Sequence, residues 1–236
     1  MKKKMTEDKN DGKQDSLRER VYQYLKDAMS SGVLSYGEFL DQDQICERLE
    51  VSKTPLRDAL IRLEAEGFVT ILPRKGVHIN PITPDFIKSA YQIIGSIEAD
   101  CINEVFHKLT AYHVRQFEAS NERQWELLRQ NNYMEYYDEN IRFHGIFLSL
   151  SANTLLEQTL IPLRRRLYDF PRREYSYEWE SMNLNTHQRF IDSVRLGNRE
   201  AAISIFRTEH WSYEIHKKYF RQYYSFDVKP PQGRAR

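Results

Sequence analysis

The sequence predicts a mainly α-helical chain with a single β-hairpin, arranged as two domains. Three observations predict it. Glycine and proline are scarce, 9 and 8 of 236 residues, too few for the repeated tight turns of an all-β sandwich or barrel. Apolar residues recur at helical spacing over most of the chain. Only two short β-type runs occur, and they flank one turn-forming segment, Pro73-Arg74-Lys75-Gly76.

The elements follow in order. Residues 1–15 are polar and lack apolar periodicity, the pattern of a disordered tail. At Ser16-Leu17-Arg18-Glu19 a hydroxyl precedes a carboxylate by three residues, which fits a capping box, and Leu17, Val21, Leu25 and Ala28 continue as a stripe. Asp41 opens a short second helix with Ile45 and Leu49 inward. A third begins around Ser52 to Pro55, carries Leu56, Ala59, Leu60 and Leu63 on one face, and stops at Gly67. Phe68 to Leu72 and Val77 to Ile79 form the hairpin. Three helices and a hairpin add up to a winged helix-turn-helix over residues 16–80. Residues 81–85 read as a linker. An all-α domain follows over 86–226, with helices near 86–106, 111–130, 133–150, 153–172, 183–196 and 198–224, and residues 227–236 read as a frayed tail.

Composition narrows function. Lys plus Arg is 35 and Asp plus Glu is 34, so bulk charge does not send the chain to a polyanion or an anionic membrane. Two cysteines make no disulfide scaffold, and no apolar run approaches the 18 or so residues of a membrane span. The N-terminus lacks the apolar core of a secretory signal, so the expected location is cytoplasmic.

Any anion site must therefore be local. Ser52, Lys53, Thr54 and Arg57 crowd the first turns of the third helix, the end that such helices point at base edges, and Arg62 follows a turn and a bit later. Arg74, Lys75 and Gly76 make a second basic point at the hairpin tip. Asp58, Glu64 and Glu66 balance the helix, so charge alone leaves protein docking open beside binding of double-stranded DNA. The run from Gln44 to Val69, including Leu49-Glu50-Val51-Ser52-Lys53-Thr54-Pro55-Leu56-Arg57-Asp58-Ala59-Leu60 and Glu66-Gly67-Phe68-Val69, resembles the GntR family of bacterial transcription regulators. The departures are Lys53 for the usual Arg, Asp58 for Glu, and Tyr36-Gly37 for Pro-Gly. A lysine is a point charge without arginine's fork, so a phosphate contact survives there while the bidentate contact to guanine does not.

Three of the seven histidines lie on inward stripes of different helices: His144 with Tyr137 and Phe147, His187 with Ile191 and Val194, His210 with Ile203 and Phe206. With the oxygen of Asn140, one turn before His144, they make a ligand set suited to a divalent transition metal inside a bundle. Asn140 to His144, Ser151-Ala152-Asn153, His187 to Asn198 and Ala201 to His210 resemble the FadR subgroup of that family, whose helical effector domain is the FCD domain. The resemblance implies zinc or nickel held by an acid and three histidines beneath a small carboxylate or sugar-acid effector. It also implies a homodimer on a palindromic operator, most often a repressor. Asn140 stands where Asp is usual and removes one negative charge. The arginine expected before Ser96-Ile97-Glu98 is absent, which leaves Arg164, Arg165 and Arg166, with Tyr137, as effector-binding candidates. His107, His113 and His216 read as surface or helix-end residues, and His78 sits on the wing. Two rivals remain. A hydrolase is not expected, because no general base stands at a motif offset from the histidines. A metal-free, lipid-responsive regulator would lack the histidines altogether.

Overall fold

The computed structural model describes residues 7–168 and 176–224, which form two compact units meeting in sequence at Ile82 and Thr83. The tail expected at 227–236 lies outside the described residues, as do residues 1–6 of the one expected at 1–15.

The first unit holds α1 (Glu7–Ser30), α2 (Gln42–Leu49), α3 (Lys53–Ala65), β1 (Val69–Leu72) and β2 (Gly76–Ile79). Helix α1 starts nine residues before Ser16, so the Ser16-to-Glu19 pattern lies inside the helix and is not its cap. In α2, the Asp41 side chain accepts from the Gln44 amide at 3.0 Å and satisfies an orphan donor. The turn into α3 is closed by Glu50 at φ 52°, whose amide bonds back to the carbonyls of Cys46 and Glu47. The stripe Leu56, Ala59, Leu60 and Leu63 is buried against Val21, Leu25 and Met29 of α1 and Val69, Val77 and Ile79 of the hairpin. The strands pair antiparallel from Val69 with Ile79 to Leu72 with Gly76. Gly76 lies at φ 107°, a conformation that side chains resist, and this closes the tip.

The second unit is all helix: α4 (Pro84–Val105), α5 (Ala111–Arg129), α6 (Tyr133–Leu148), α7 (Leu155–Tyr168), α8 (Tyr177–Arg195), α9 (Arg199–Ser204) and α10 (Tyr213–Tyr223). Thr83 caps α4 through the Phe86 amide, with Pro84 in the first turn where its missing N–H costs nothing. Two boundaries differ from expectation. Helix α8 starts at Tyr177 rather than near 183, because Ser176 caps it through the Trp179 amide at 3.1 Å. The single helix expected over 198–224 is broken: a π-helical turn, Ile205–His210, follows α9, and Ser212 precedes α10. Phe117, Phe143, Phe147, Phe190 and Phe206 form a buried aromatic core, and the site lies against it.

Candidate DNA-reading surface and metal centre

In the first unit, burying one face of α3 leaves Ser52, Lys53, Thr54 and Arg57 exposed at its N-terminal end. Lys53 Nζ lies 2.9 Å from Asp43 Oδ1, and this pairing raises its pKa. Both side chains are exposed, so the pair is weak and gives way readily to a phosphate. Arg57 and Arg74 line one cleft of about 400 Å³ between α3 and the hairpin, with Leu60, Ile71 and Gly76 forming its floor and walls. Lys75 is exposed at the tip beside it. Two candidates are employed elsewhere. Arg62 turns to α1, pairing with Glu19 at 2.8 Å and lying 3.6 Å over the Tyr22 ring, so it braces the two helices. His78 faces the Gly37 carbonyl at 3.2 Å and the Phe39 ring.

In the second unit the three inward stripes converge. The rings of His144, His187 and His210 lie 5.4, 5.1 and 4.8 Å apart pairwise, and one nitrogen of each lies within 4.8 Å of the others. Phe143 stacks on His187 at 4.0 Å and fixes its plane. The π-helical turn carries His210. All three are buried, which pushes His144 down to about 3 and His187 and His210 well below the usual histidine range, so the imidazoles are neutral and keep their lone pairs. His144 Nε2, both nitrogens of His187 and His210 Nδ1 have no hydrogen-bond partner among the described residues. Orphaned buried nitrogens are costly, and a shared cation removes that cost. Three neutral imidazoles suit a transition-metal dication such as zinc better than magnesium or calcium.

Asn140 is buried one turn before His144. Its Oδ1 accepts from the Tyr168 hydroxyl at 2.8 Å and its Nδ2 donates to Gln124 at 3.2 Å. A narrow cavity of about 20 Å³ lies over His210, lined by Tyr137, Asn140, Tyr168, Glu180 and Trp211 among others. That is room for about one water. Tyr137 fits the sequence expectation and donates to Glu180 at 2.6 Å. The arginine run does not behave as a unit. Arg164 is 1% exposed and ion-pairs with Glu98, while Arg166 lies 3.8 Å over the Phe86 ring and Arg165 is half-buried; none of the three lines the cavity. Burial lowers the Arg164 pKa to about 10. His216 corrects a second expectation, because it is 2% exposed and accepts from the Trp179 indole at 2.8 Å.

Sequence reasoning missed Glu98, Glu180 and Trp211. Glu98 is fully buried, with Oε2 2.9 Å from His144 Nδ1 and accepting from Trp211 Nε1 at 2.6 Å. Its signal was present: it falls on the stripe Ile87, Ala90, Ile94, Gly95, Ala99, Ile102 that α4 buries.

Residues 17–79 match the bacterial regulatory proteins of the gntR family, and residues 89–208 match the FCD domain. The chain belongs to the GntR family, with an FCD effector domain. Its GntR segment is 31% identical over 78 residues to an HTH-type transcriptional regulator of Agrobacterium vitis, a match spanning 33% of this chain and 46% of that relative. The HTH-type regulator YdhC of Bacillus subtilis is 23% identical over 78% of this chain and 83% of its own length. The repressor RspR of Escherichia coli is 20% identical over 63% and 65%. Among solved structures, Lar of Listeria monocytogenes superposes with a TM-score of 0.65 at 18% identity, over 86% of this chain and 96% of Lar. McbR/YncC of Escherichia coli gives 0.64 at 18% identity, over 87% and 98%. At these identities the structural likeness is one of fold. This GntR regulator is thus a DNA-binding transcription regulator with a ligand-binding FCD domain, and among its described residues no helix is long and apolar enough to cross a membrane.

Proposed function

We propose that this regulator is a cytoplasmic, homodimeric repressor that holds zinc or nickel on His144, His187 and His210 and leaves a palindromic operator when a small carboxylate or sugar acid enters the cavity above them. The observation that carries the reading is the convergence of three neutral, buried imidazoles with orphaned nitrogens. The metal supplies Lewis acidity toward an effector carboxylate when bound. Asn140 presents its amide from the same helix face as His144, and Tyr137 contributes a wall of the cavity. A cavity of about 20 Å³ is too small for any organic acid, so effector entry must move lining side chains. A ligand that fits the moved arrangement better shifts the population toward it, and operator affinity falls in proportion if DNA favours the other arrangement. On DNA, Ser52, Lys53, Thr54 and Arg57 face the bases while Arg74, Lys75 and the Gly76 backbone contact the sugar-phosphate chain beside them. The printed name of RspR, a repressor, supports the direction of regulation.

The test is elemental analysis of the purified protein beside His187→Ala and His210→Ala, joined to gel shifts on the promoter of its own gene. The reading expects one equivalent of metal in the wild type, its loss in both variants, and operator release by a carboxylate only in the metal-loaded protein. Equal metal content in all three proteins would reject it.

A further inference from the structure

Of Glu98, Glu180 and Trp211, Glu98 has the geometry of a metal-site component. Glu98 sits on α4, which packs against the helix that carries His144, with none of its surface exposed. One carboxylate oxygen faces His144 Nδ1 at 2.9 Å and accepts a hydrogen bond from the Trp211 indole N–H; the other faces the Arg164 guanidinium. We propose that Glu98 is a positioning residue for the metal: it holds His144 with Nε2 turned to the centre and supplies, from one residue outside the ligand set, the negative charge that the carboxamide of Asn140 lacks. This rests on the metal reading above.

A carboxylate at hydrogen-bond distance from His144 Nδ1 demands that this nitrogen carry the hydrogen, because an acceptor faces it. The lone pair is then on Nε2, the orphaned nitrogen of a ring whose centroid lies 5.4 and 5.1 Å from those of His187 and His210. The same carboxylate makes the imidazole a better electron donor and places negative charge a few ångströms behind it. The three imidazoles are all neutral, so a dication held by them has no counter-charge among its direct ligands. Glu98 supplies one. Arg164 opposes this from the far side of the carboxylate, neutralising part of the charge that would otherwise act on the metal. Trp211 follows His210 in sequence, so its bond to Glu98 also joins the element carrying one histidine to the acid that orients another.

A purely structural pair and a metal-tuning pair differ in sign. If Glu98 and Arg164 only hold helices together, removing either loosens the site. If Glu98 acts through charge and orientation, Glu98→Gln weakens metal binding while Arg164→Gln strengthens it. The experiment uses the full chain, stripped with a chelator and titrated with Zn²⁺ against a chromophoric competitor, with the Co²⁺ absorption bands recorded in parallel. Glu98→Gln is expected to lose about 10- to 100-fold in metal affinity at unchanged stoichiometry, with altered Co²⁺ bands, and Glu98→Asp to recover part of the loss. Arg164→Gln is expected to bind several-fold tighter. The double variant Glu98→Gln/Arg164→Gln removes both buried charges together and serves where Glu98→Gln alone fails to fold; it too is expected to bind weakly. Affinity within twofold of wild type in Glu98→Gln or in the double variant overturns the inference, and so does weakened binding in Arg164→Gln. His187→Ala separates the two levels. If it loses metal while Glu98→Gln does not, only the role of Glu98 falls; if it binds as the wild type does, the metal reading falls with it.

Discussion

A single missing side chain lets Trp211 reach Glu98. A Cβ built on Gly95 would lie 2.7 Å from Trp211 Cβ, closer than side chains pack, so α4 needs glycine where the indole crosses it. The crossing brings Trp211 Nε1 within 2.6 Å of Glu98, one turn further along the same face. Gly95→Ala should therefore push Trp211 away and strand a buried carboxylate with one donor fewer. Overpacking costs about 1–3 kcal/mol and an unmade bond to a charged group a comparable amount. We expect a lower melting temperature in the metal-free protein, read by circular dichroism, together with weaker metal binding. A melting curve identical to wild type would show that the backbone yields at no cost.

At the scale of elements, the helix-turn-helix and the hairpin were legible because each signal is local: Asp41 before an apolar pair, Gly67 after a stripe, a basic turn between β-branched runs. What was not legible lacks a local signal. Glu7 to Asp15 continue α1 without an apolar stripe, so nothing in their spacing marks them as helix. The π-helical turn is hidden because Ile203, Phe206 and His210 keep helical spacing across it, although the backbone carries an extra residue there. The histidine convergence was legible from stripes on three helices; Glu98 lies on an apolar stripe too, but periodicity does not say which buried positions hold paired charges. His216 hid for the same reason, its partner Trp179 lying 37 residues away. The α3 surface gives a prediction at this scale. Arg57 lines the cleft with the wing whereas Arg62 grips α1, so the two should fail differently. Arg57→Ala should cost about 1–3 kcal/mol of discrimination between operator and altered sites in gel shifts. Arg62→Ala should leave discrimination intact and lower the stability of the DNA-binding unit; a loss of selectivity in Arg62→Ala would place it on the DNA.

At the scale of the molecule, burial of the histidines links stability, protons and metal. In the unfolded chain each imidazole protonates near pH 6.5; in the folded protein burial holds His144 down to about 3 and His187 and His210 well below their usual range. Between those limits the unfolded chain binds protons that the folded one does not, so the stability is fully present above about pH 6.5 and is lost as pH falls below it. From pH 7.5 to 5.5 the metal-free protein therefore loses stability, on the order of 1 kcal/mol for each histidine that burial keeps neutral. All three tryptophans, Trp125, Trp179 and Trp211, lie in the second unit, so urea unfolding followed by indole fluorescence reports that unit alone. The metal should behave differently. Its competitor for the imidazole lone pairs is the proton, and burial keeps all three imidazoles of the folded site from taking up protons in the usual histidine range. Metal at about 100 times its dissociation constant therefore adds about 2.7 kcal/mol at either pH, even as the metal-free protein weakens. A metal increment that vanishes at pH 5.5 would mean that the histidines protonate in the folded state, as they do in solvent-exposed sites, and that the buried neutral triad is not the form that binds the ion.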